Sequence, residues 1–514
     1  MTLTEARPEA ADAVIAAARL EPVPAAGGIV GWLTTADHKR IGLLYTGLGL
    51  VGIAGSLVLS ALASISVAAE SDYLGDSLRQ VSDLGLFGLV FGGVVPTLLG
   101  LGIAIVPLQI GARAIAFPRA AALSLWGWLV GTALMVASFV ANGGPGGGKG
   151  RAVDLFLLAF GLMLVSLLLG AISLVTTLLG LRTAGMSLAR VPMFSWSWFV
   201  TGAMLLVTLP LLVGVVIYLY VDHRYGRQVF GGNDGILRYV GWAFRQPVSV
   251  LYALPVLGIL ADAVATATRQ RQALAGVVRG GIGFAGILAF GAINTAFDSR
   301  VTSRLVFIAV TVVAAAPVLV VLALVLRSLA AGRPRLSAGF AVSVLGGLLL
   351  LGAAAVGILY PIERLDLVGT PFETGQLHLA LAAGIVGTIA GAAYWLPKLT
   401  GRVVPTGPAI GLGLLAALGG LLTGVGPIVV GFSSSSTQAG FGILAAGAIL
   451  AALAVAAFGL LALRSARAGE SAGDDPFDGL TLEWATTSPP PPGNFAGDLG
   501  AVQSAQPLLD RKEA

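Results

Sequence analysis

Three histidines, His38, His223 and His378, are the whole imidazole complement of 514 residues, and cysteine is absent. The missing thiols exclude disulfides, thiolate metal sites and cysteine nucleophiles. His38 stands beside Lys39, and His223 lies within Asp222-His223-Arg224. Both read as ordinary solvated residues. His378 differs, because it lies within "FETGQLHLAL" at the start of a long apolar run, two residues after Gln376. Imidazole there suits a copper or haem iron. A helix-interior histidine bonded to a neighbouring carbonyl or hydroxyl explains it equally simply, since a polar group in hydrocarbon must find a partner. We expect the second.

The surroundings of His378 are those of a membrane. Hydrophobic residues make up 56% of the chain and charged residues 11%, against about a quarter charged in soluble domains. Mean hydropathy is +0.92. Apolar stretches recur from Ile41 almost to Leu463, each able to cross a hydrocarbon core of about 30 Å. Twelve spans are predicted, near 41–65, 84–109, 120–141, 153–181, 196–221, 239–265, 276–297, 304–326, 338–360, 376–397, 407–430 and 440–463. The expected fold is an all-α integral membrane bundle. A β-barrel is excluded, because its strands would alternate in polarity. The 72 glycines suit close helix packing.

Loop charges predict the orientation. Arg113, Arg119, Arg182, Arg190, Arg269, Arg271, Arg279, Arg327, Arg333, Arg335, Lys398 and Arg402 fall in acid-free loops. The alternate loops carry Glu70, Asp72, Asp83, Asp222, Asp234, Asp298, Glu363, Asp366 and Glu373. By the positive-inside rule the basic loops and both termini are cytoplasmic. The net charge of +5 is therefore topogenic, and no nucleic-acid partner is expected. The first residues mix acids and bases without a signal-peptide core. The expected organisation is a segment 1–40, a membrane domain 41–463 and a polar tail 464–514 lying along the cytoplasmic face. "SPPPPGNF" in the tail favours an extended chain.

Several segments together resemble subunit I of the haem–copper terminal oxidases, of the cytochrome c oxidase type. They are "WLTTADHKRIGLLY" (Trp32–Tyr45), "PLQIGARAIAFPRAAALSLW" (Pro107–Trp126), "VDLFLLAFGLMLVSLLLGAISLVTTLLGLRTAGMSL" (Val153–Leu188), "RVPMFSWSWFVT" (Arg190–Thr201), "YWLPKLTGR" (Tyr394–Arg402) and "DPFDGLTLEWATTSPPPPGNF" (Asp475–Phe495). The resemblance implies a twelve-helix bundle. It also implies a low-spin haem, a high-spin haem and a copper ion held by histidines at six internal places.

The chain departs from that pattern at its metal positions. The low-spin haem ligand of the second span becomes Gly85, eleven residues before Pro96. The family's His-Pro-Glu-Val-Tyr run becomes Gln246-Pro247-Val248-Ser249-Val250. A copper ligand, a proton-relaying acid and a crosslinked tyrosine are thereby replaced. The paired copper histidines match Ile293 and Asn294, and His-x-His becomes Gln376-x-His378. Only the second low-spin haem position keeps its histidine. Proton-path positions become Ile103, Ala114 and Val321, and the propionate-holding arginines match Ser434 and Ser435. Asp154, Arg245 and Asp262 lie near span ends, where snorkelling explains them.

The expectation is a subunit I-like respiratory membrane protein without redox centres, acting as a structural or assembly partner in the cell (inner) membrane. No cofactor is expected; a haem on His378 stays open. Lipid and other respiratory oxidase subunits are the expected partners. Two alternatives remain: a working oxidase with unusual ligands, and a transporter or channel reusing emptied cofactor cavities. A cysteine replacing Asp72 and one replacing Asp510 should label with impermeant maleimide from opposite sides of the membrane. Labelling of both from one side would contradict the topology.

Overall fold

The computed structural model describes residues 28–245, 248–289 and 315–513, together with 309, 312 and 313. Among them, twelve apolar helices follow the order of the predicted spans. They are α1 His38–Ala68, α2 Gly75–Gln109, α3 Pro118–Val140, α4 Gly150–Gly180, α5 Met193–Arg224, α6 Pro255–Thr268, α7 Ala275–Ala289, α8 Ala315–Ala331, α9 Ala338–Gly357, α10 Pro371–Thr400, α11 Thr406–Phe432 and α12 Thr437–Ala468. Among the described residues nine are long enough to cross a membrane by themselves; α6 is shorter, and α7 and α8 border positions outside the described residues, which include 290–297 and 304–308 of the predicted seventh and eighth spans. The helices α2, α6 and α10 are buried almost throughout. The others expose leucine, isoleucine and valine outward, including Val51, Ile217 and Leu453. A helix apolar on every side is one buried in a bundle or facing lipid. The two ends of the bundle are called below the basic and the acidic end, after their loops.

Small residues bring neighbouring helices together. At Gly419 of α11 a Cβ would lie 2.7 Å from the Gly447 carbonyl oxygen and 2.6 Å from the Ala451 nitrogen of α12. Only glycine permits that approach, and it lets dispersion contacts replace the missing hydrophobic drive between helices in lipid.

Two spans are irregular. In α2 the stretch Gly88–Val94 is a π-helix. It precedes Pro96, which has no N–H to give, and a widened turn accommodates that loss. The sixth span was predicted continuous over 239–265 and is broken. It runs as Ile236–Val240, a 3₁₀ turn Gly241–Phe244, an extended Arg245 (φ −99°, ψ 160°) and a short helix Val248–Leu251 before α6. Pro255 opens α6 at a position where its missing N–H costs nothing. The break turns Phe244 onto Phe87 at 4.9 Å and Tyr252 toward Phe91 at 5.9 Å. Phe139, Phe156 and Phe160 complete this aromatic cluster between α2, α3 and α4.

The tail does more than lie along the basic end. It pairs with the α10–α11 loop, where the Val403 N–H donates to the Glu470 carbonyl at 2.9 Å and Ala472 to Gly401 at 3.0 Å. Leu482, Trp484, Asn494 and Phe495 are buried. Lys398, fully buried at the end of α10, donates to the carbonyls of Asp474 and Thr486 at 2.7 Å.

His38 takes part in this seal, contrary to its expected solvation. It is 3% exposed. Its Nδ1 lies 3.0 Å from the Ile103 carbonyl, which can only accept, so Nδ1 carries the proton. Nε2 then accepts from Asn494 Nδ2 at 3.0 Å. The same Asn494 amide donates to Ala112 at 2.8 Å and accepts from Lys39 at 3.0 Å. Asn494→Ala should therefore destabilise the purified protein by about 2–3 kcal/mol, three side-chain bonds lost and buried acceptors stranded. Thr487→Ala, on the exposed part of the tail, is the control. Equal melting of the two variants would contradict the seal.

Candidate functional site

His378 occupies the second turn of α10, 6% exposed. Its Nδ1–H donates to the Thr374 carbonyl at 2.8 Å, one turn back. Nε2 is left as the free, lone-pair nitrogen. The residue lines a cavity of about 850 Å³ bounded by α1, α2, α10, α11 and α12. The walls include Ser60 and Ser64, Leu86, Pro427 and Leu444, with Arg79, Asp83, Arg245 and Glu373 nearer the loops. All come from the acidic-end half of their helices, so the cavity does not traverse the bundle.

The low-spin haem that the family resemblance implies does not fit these residues. The position facing His378 in the family pattern is Gly85, which has no donor atom. A Cβ built there would meet Ser60 Oγ at 3.1 Å and the Ser56 carbonyl at 3.4 Å, against α1. A larger side chain at that position would have to displace α1 atoms. Ser434 and Ser435, at the arginine positions, are exposed on a 3₁₀ turn between α11 and α12 and carry no charge. The cavity persists, but among the described residues His378 is the one imidazole on its wall.

At the copper positions, Gln246, Ile293 and Asn294 lie outside the described residues. Gln376 is buried and both ends of its amide are engaged. Oε1 accepts from Ser249 Oγ at 3.0 Å, and Nε2 donates to the Ala353 carbonyl at 3.2 Å. Val248, Val250 and Val321 are each at most 2% exposed, packed in the apolar core. Ile103 is buried too, and Ala114 is exposed in the α2–α3 loop. Among the described residues, no three of His, Asp and Glu come together as a metal-binding group.

The charged residues assigned to snorkelling have specific partners instead. Arg245 Nε pairs with Glu373 Oε2 at 2.9 Å, tying the broken sixth span to α10. Glu373 also accepts from Tyr360 and from the Gly369 N–H. Asp154 pairs with His223 at 2.9 Å and with Arg224 at 3.4 Å. His223 is accordingly half-buried and partnered.

Asp262 was also misassigned, and it leads to a cluster that residue types alone did not reveal. It is 5% exposed and sits over the N-terminus of α5. Oδ1 accepts the Met193 N–H and Oδ2 the Phe194 N–H, both at 3.0 Å. The residue before Met193 is Pro192, whose side chain cannot cap, so a carboxylate from another helix does so. Gln109 Nε2, at the end of α2, bridges Asp262 Oδ2 and Glu483 Oε1 at 3.1 Å each. Ser195 donates to Gln109 Oε1 at 2.7 Å, and Trp395 Nε1 to Glu483 Oε1 at 3.1 Å. Burial pushes the Glu483 carboxyl above its usual range. The available signal was the "TLEW" of the tail, an acid flanked by large apolar residues.

The comparisons agree with this architecture. The family model described as cytochrome c and quinol oxidase polypeptide I matches residues 40–485. Cytochrome c oxidase subunit 1 of Bacillus subtilis is 27% identical over 94% of this chain and 83% of its own length. The haem–copper oxidase subunit I+III of Aeropyrum pernix is 30% identical over 91% of this chain and 61% of its own. A putative cytochrome c oxidase subunit 1-beta of Streptomyces coelicolor is 29% identical, covering 94% and 90%. With nearly the whole bundle matched, this multi-pass membrane chain belongs to the cytochrome c and quinol oxidase polypeptide I family.

Proposed function

We propose that the chain is a non-catalytic subunit I-like protein of a respiratory oxidase assembly, keeping the scaffold and docking surfaces while lacking the redox centres. The observation that carries this reading is Gln376. At the first histidine position of the family's His-x-His it uses its amide to join Ser249 to the Ala353 carbonyl. An amide is a poor substitute for imidazole as a ligand of a redox metal. Gly85 and the aliphatic Val248, Val250 and Val321 support the same reading, since proton transfer needs ionisable groups or water chains inside the membrane. The basic end, with residues 464–514 folded onto it, is the proposed docking surface for other oxidase subunits. It faces the cytoplasm of the cell membrane in this reading, and the segment 1–40 lies on the same side.

The cavity beside His378 keeps a second reading open, that of a ligand chamber. Its confinement to one half of the bundle disfavours a channel.

Tagged protein purified in mild detergent from its native membrane should bring oxidase subunits with it in fixed ratio. Recovery of the chain alone would contradict the assembly role. His378→Ala should lower stability by about 1–2 kcal/mol, the value of one buried hydrogen bond, and leave subunit recovery unchanged. Loss of the co-purified subunits in that variant would make His378 part of a functional site.

A further inference from the structure

The basic end of the bundle buries two carboxyl groups, Asp262 and Glu483, that make no ion pair with any described residue. They differ in how well their oxygens are satisfied. Both oxygens of Asp262 accept backbone N–H groups at the start of α5, and Oδ2 also accepts from Gln109. Glu483 is fully buried on the tail, and its Oε2 has no hydrogen-bond partner. Oε1 accepts from Gln109 and Trp395. The Gln109 amide cannot turn to help, because its oxygen accepts from Ser195 and its NH₂ group is shared between the two carboxyls.

No described cation forms an ion pair with Glu483, and Lys398, which acts on it through space, spends its hydrogen bonds elsewhere. From α10 come Lys398 and Tyr394. The Lys398 ammonium donates to the carbonyls of Asp474 and Thr486 and lies over the Trp484 ring at 5.2 Å. The Tyr394 hydroxyl is bonded to Thr266 at 2.8 Å. From α7, Arg279 donates to the Val191 carbonyl at 2.8 Å. The tail's own Asp475 accepts the Gly479 N–H, and Asp474 that of Ser488. α2 and α5 contribute only Gln109 and Ser195. A bare charge on Oε2 would therefore be buried beside a second carboxyl, that of Asp262.

We propose that Glu483 is a proton-binding site completed only when the tail docks, holding one proton beside the buried Asp262 carboxyl and releasing the tail when that proton leaves. Docking brings the neutral acid into the bundle. Loss of the proton to water leaves a carboxylate that burial disfavours, and the tail with Glu483 then leaves the basic end. The direction follows from linkage. A carboxyl raised by burial binds its proton more tightly docked than free. Docking is thus strongest at acid pH and weakens as pH rises through the raised value. The effect is one proton, at most about tenfold per pH unit. A docking surface for other subunits would be exposed or covered accordingly.

The test uses the full chain in nanodiscs. Hydrogen exchange at the tail amides Ala472, bonded to the Gly401 carbonyl, and Val502, bonded to the Ala184 carbonyl, corrected for intrinsic rates, should show protection falling about tenfold or more between about pH 5 and about pH 9. Glu483→Gln, which keeps the shape and cannot ionise, should abolish the pH dependence. A carboxylic-acid C=O infrared band should titrate with the protection and be missing from that variant. Asp262→Asn should move the midpoint to lower pH, giving a second reading should Glu483→Gln fail to fold. Wild-type protection that is flat with pH would overturn the proposal. So would an unchanged pH profile in Glu483→Gln, an acid band that survives in it, or an unmoved midpoint in Asp262→Asn.

Discussion

The whole bundle is governed by one constraint. A polar group inside it must find its partner in the protein, because hydrocarbon offers none. Three polar side chains on the central helices obey this by particular contacts. His378 reaches back to Thr374, Gln376 joins Ser249 to Ala353, and Asp262 caps α5. In a working site of this family, metals and protons would take up much of this bonding capacity. Here backbone carbonyls and amides take it, and valine and isoleucine remove the demand elsewhere. The same substitutions therefore keep the core satisfied.

The basic end shows the constraint at work outside the spans. Lys398 and His38 are buried there beneath the folded tail, and Glu483 is buried on the tail itself. Their partners lie far away in sequence: Asn494 for His38, Gln109 for Glu483, and the carbonyls of Asp474 and Thr486 for Lys398. The tail is thus part of the fold of the bundle. Stability and any docking at this end are coupled through it.

Spans and family were legible in the sequence, because hydrophobic length and acid-free loops are local signals. The order of helices α1 to α12 follows the predicted spans. The continuous sixth span was misread, since an apolar stretch hides a break that Pro247 and Pro255 alone announce. His38 and Asp262 were misread for a different reason. Their burial depends on Asn494 and on the α5 N-terminus, and tertiary partners leave no mark on local hydropathy. At the candidate site, residue identity at Gly85 was readable from its distance to Pro96. The persistence of a cavity beside His378 was not, because it depends on how five helices pack.

The central claim is that the redox centres are gone, and it is most directly tested by a reduced-minus-oxidised spectrum of the purified wild type alongside His378→Ala. The account predicts no haem difference bands from this chain and identical spectra for the two proteins. A stoichiometric Soret signal in the wild type that disappears with His378 would contradict it, showing that the cavity holds haem on a single imidazole.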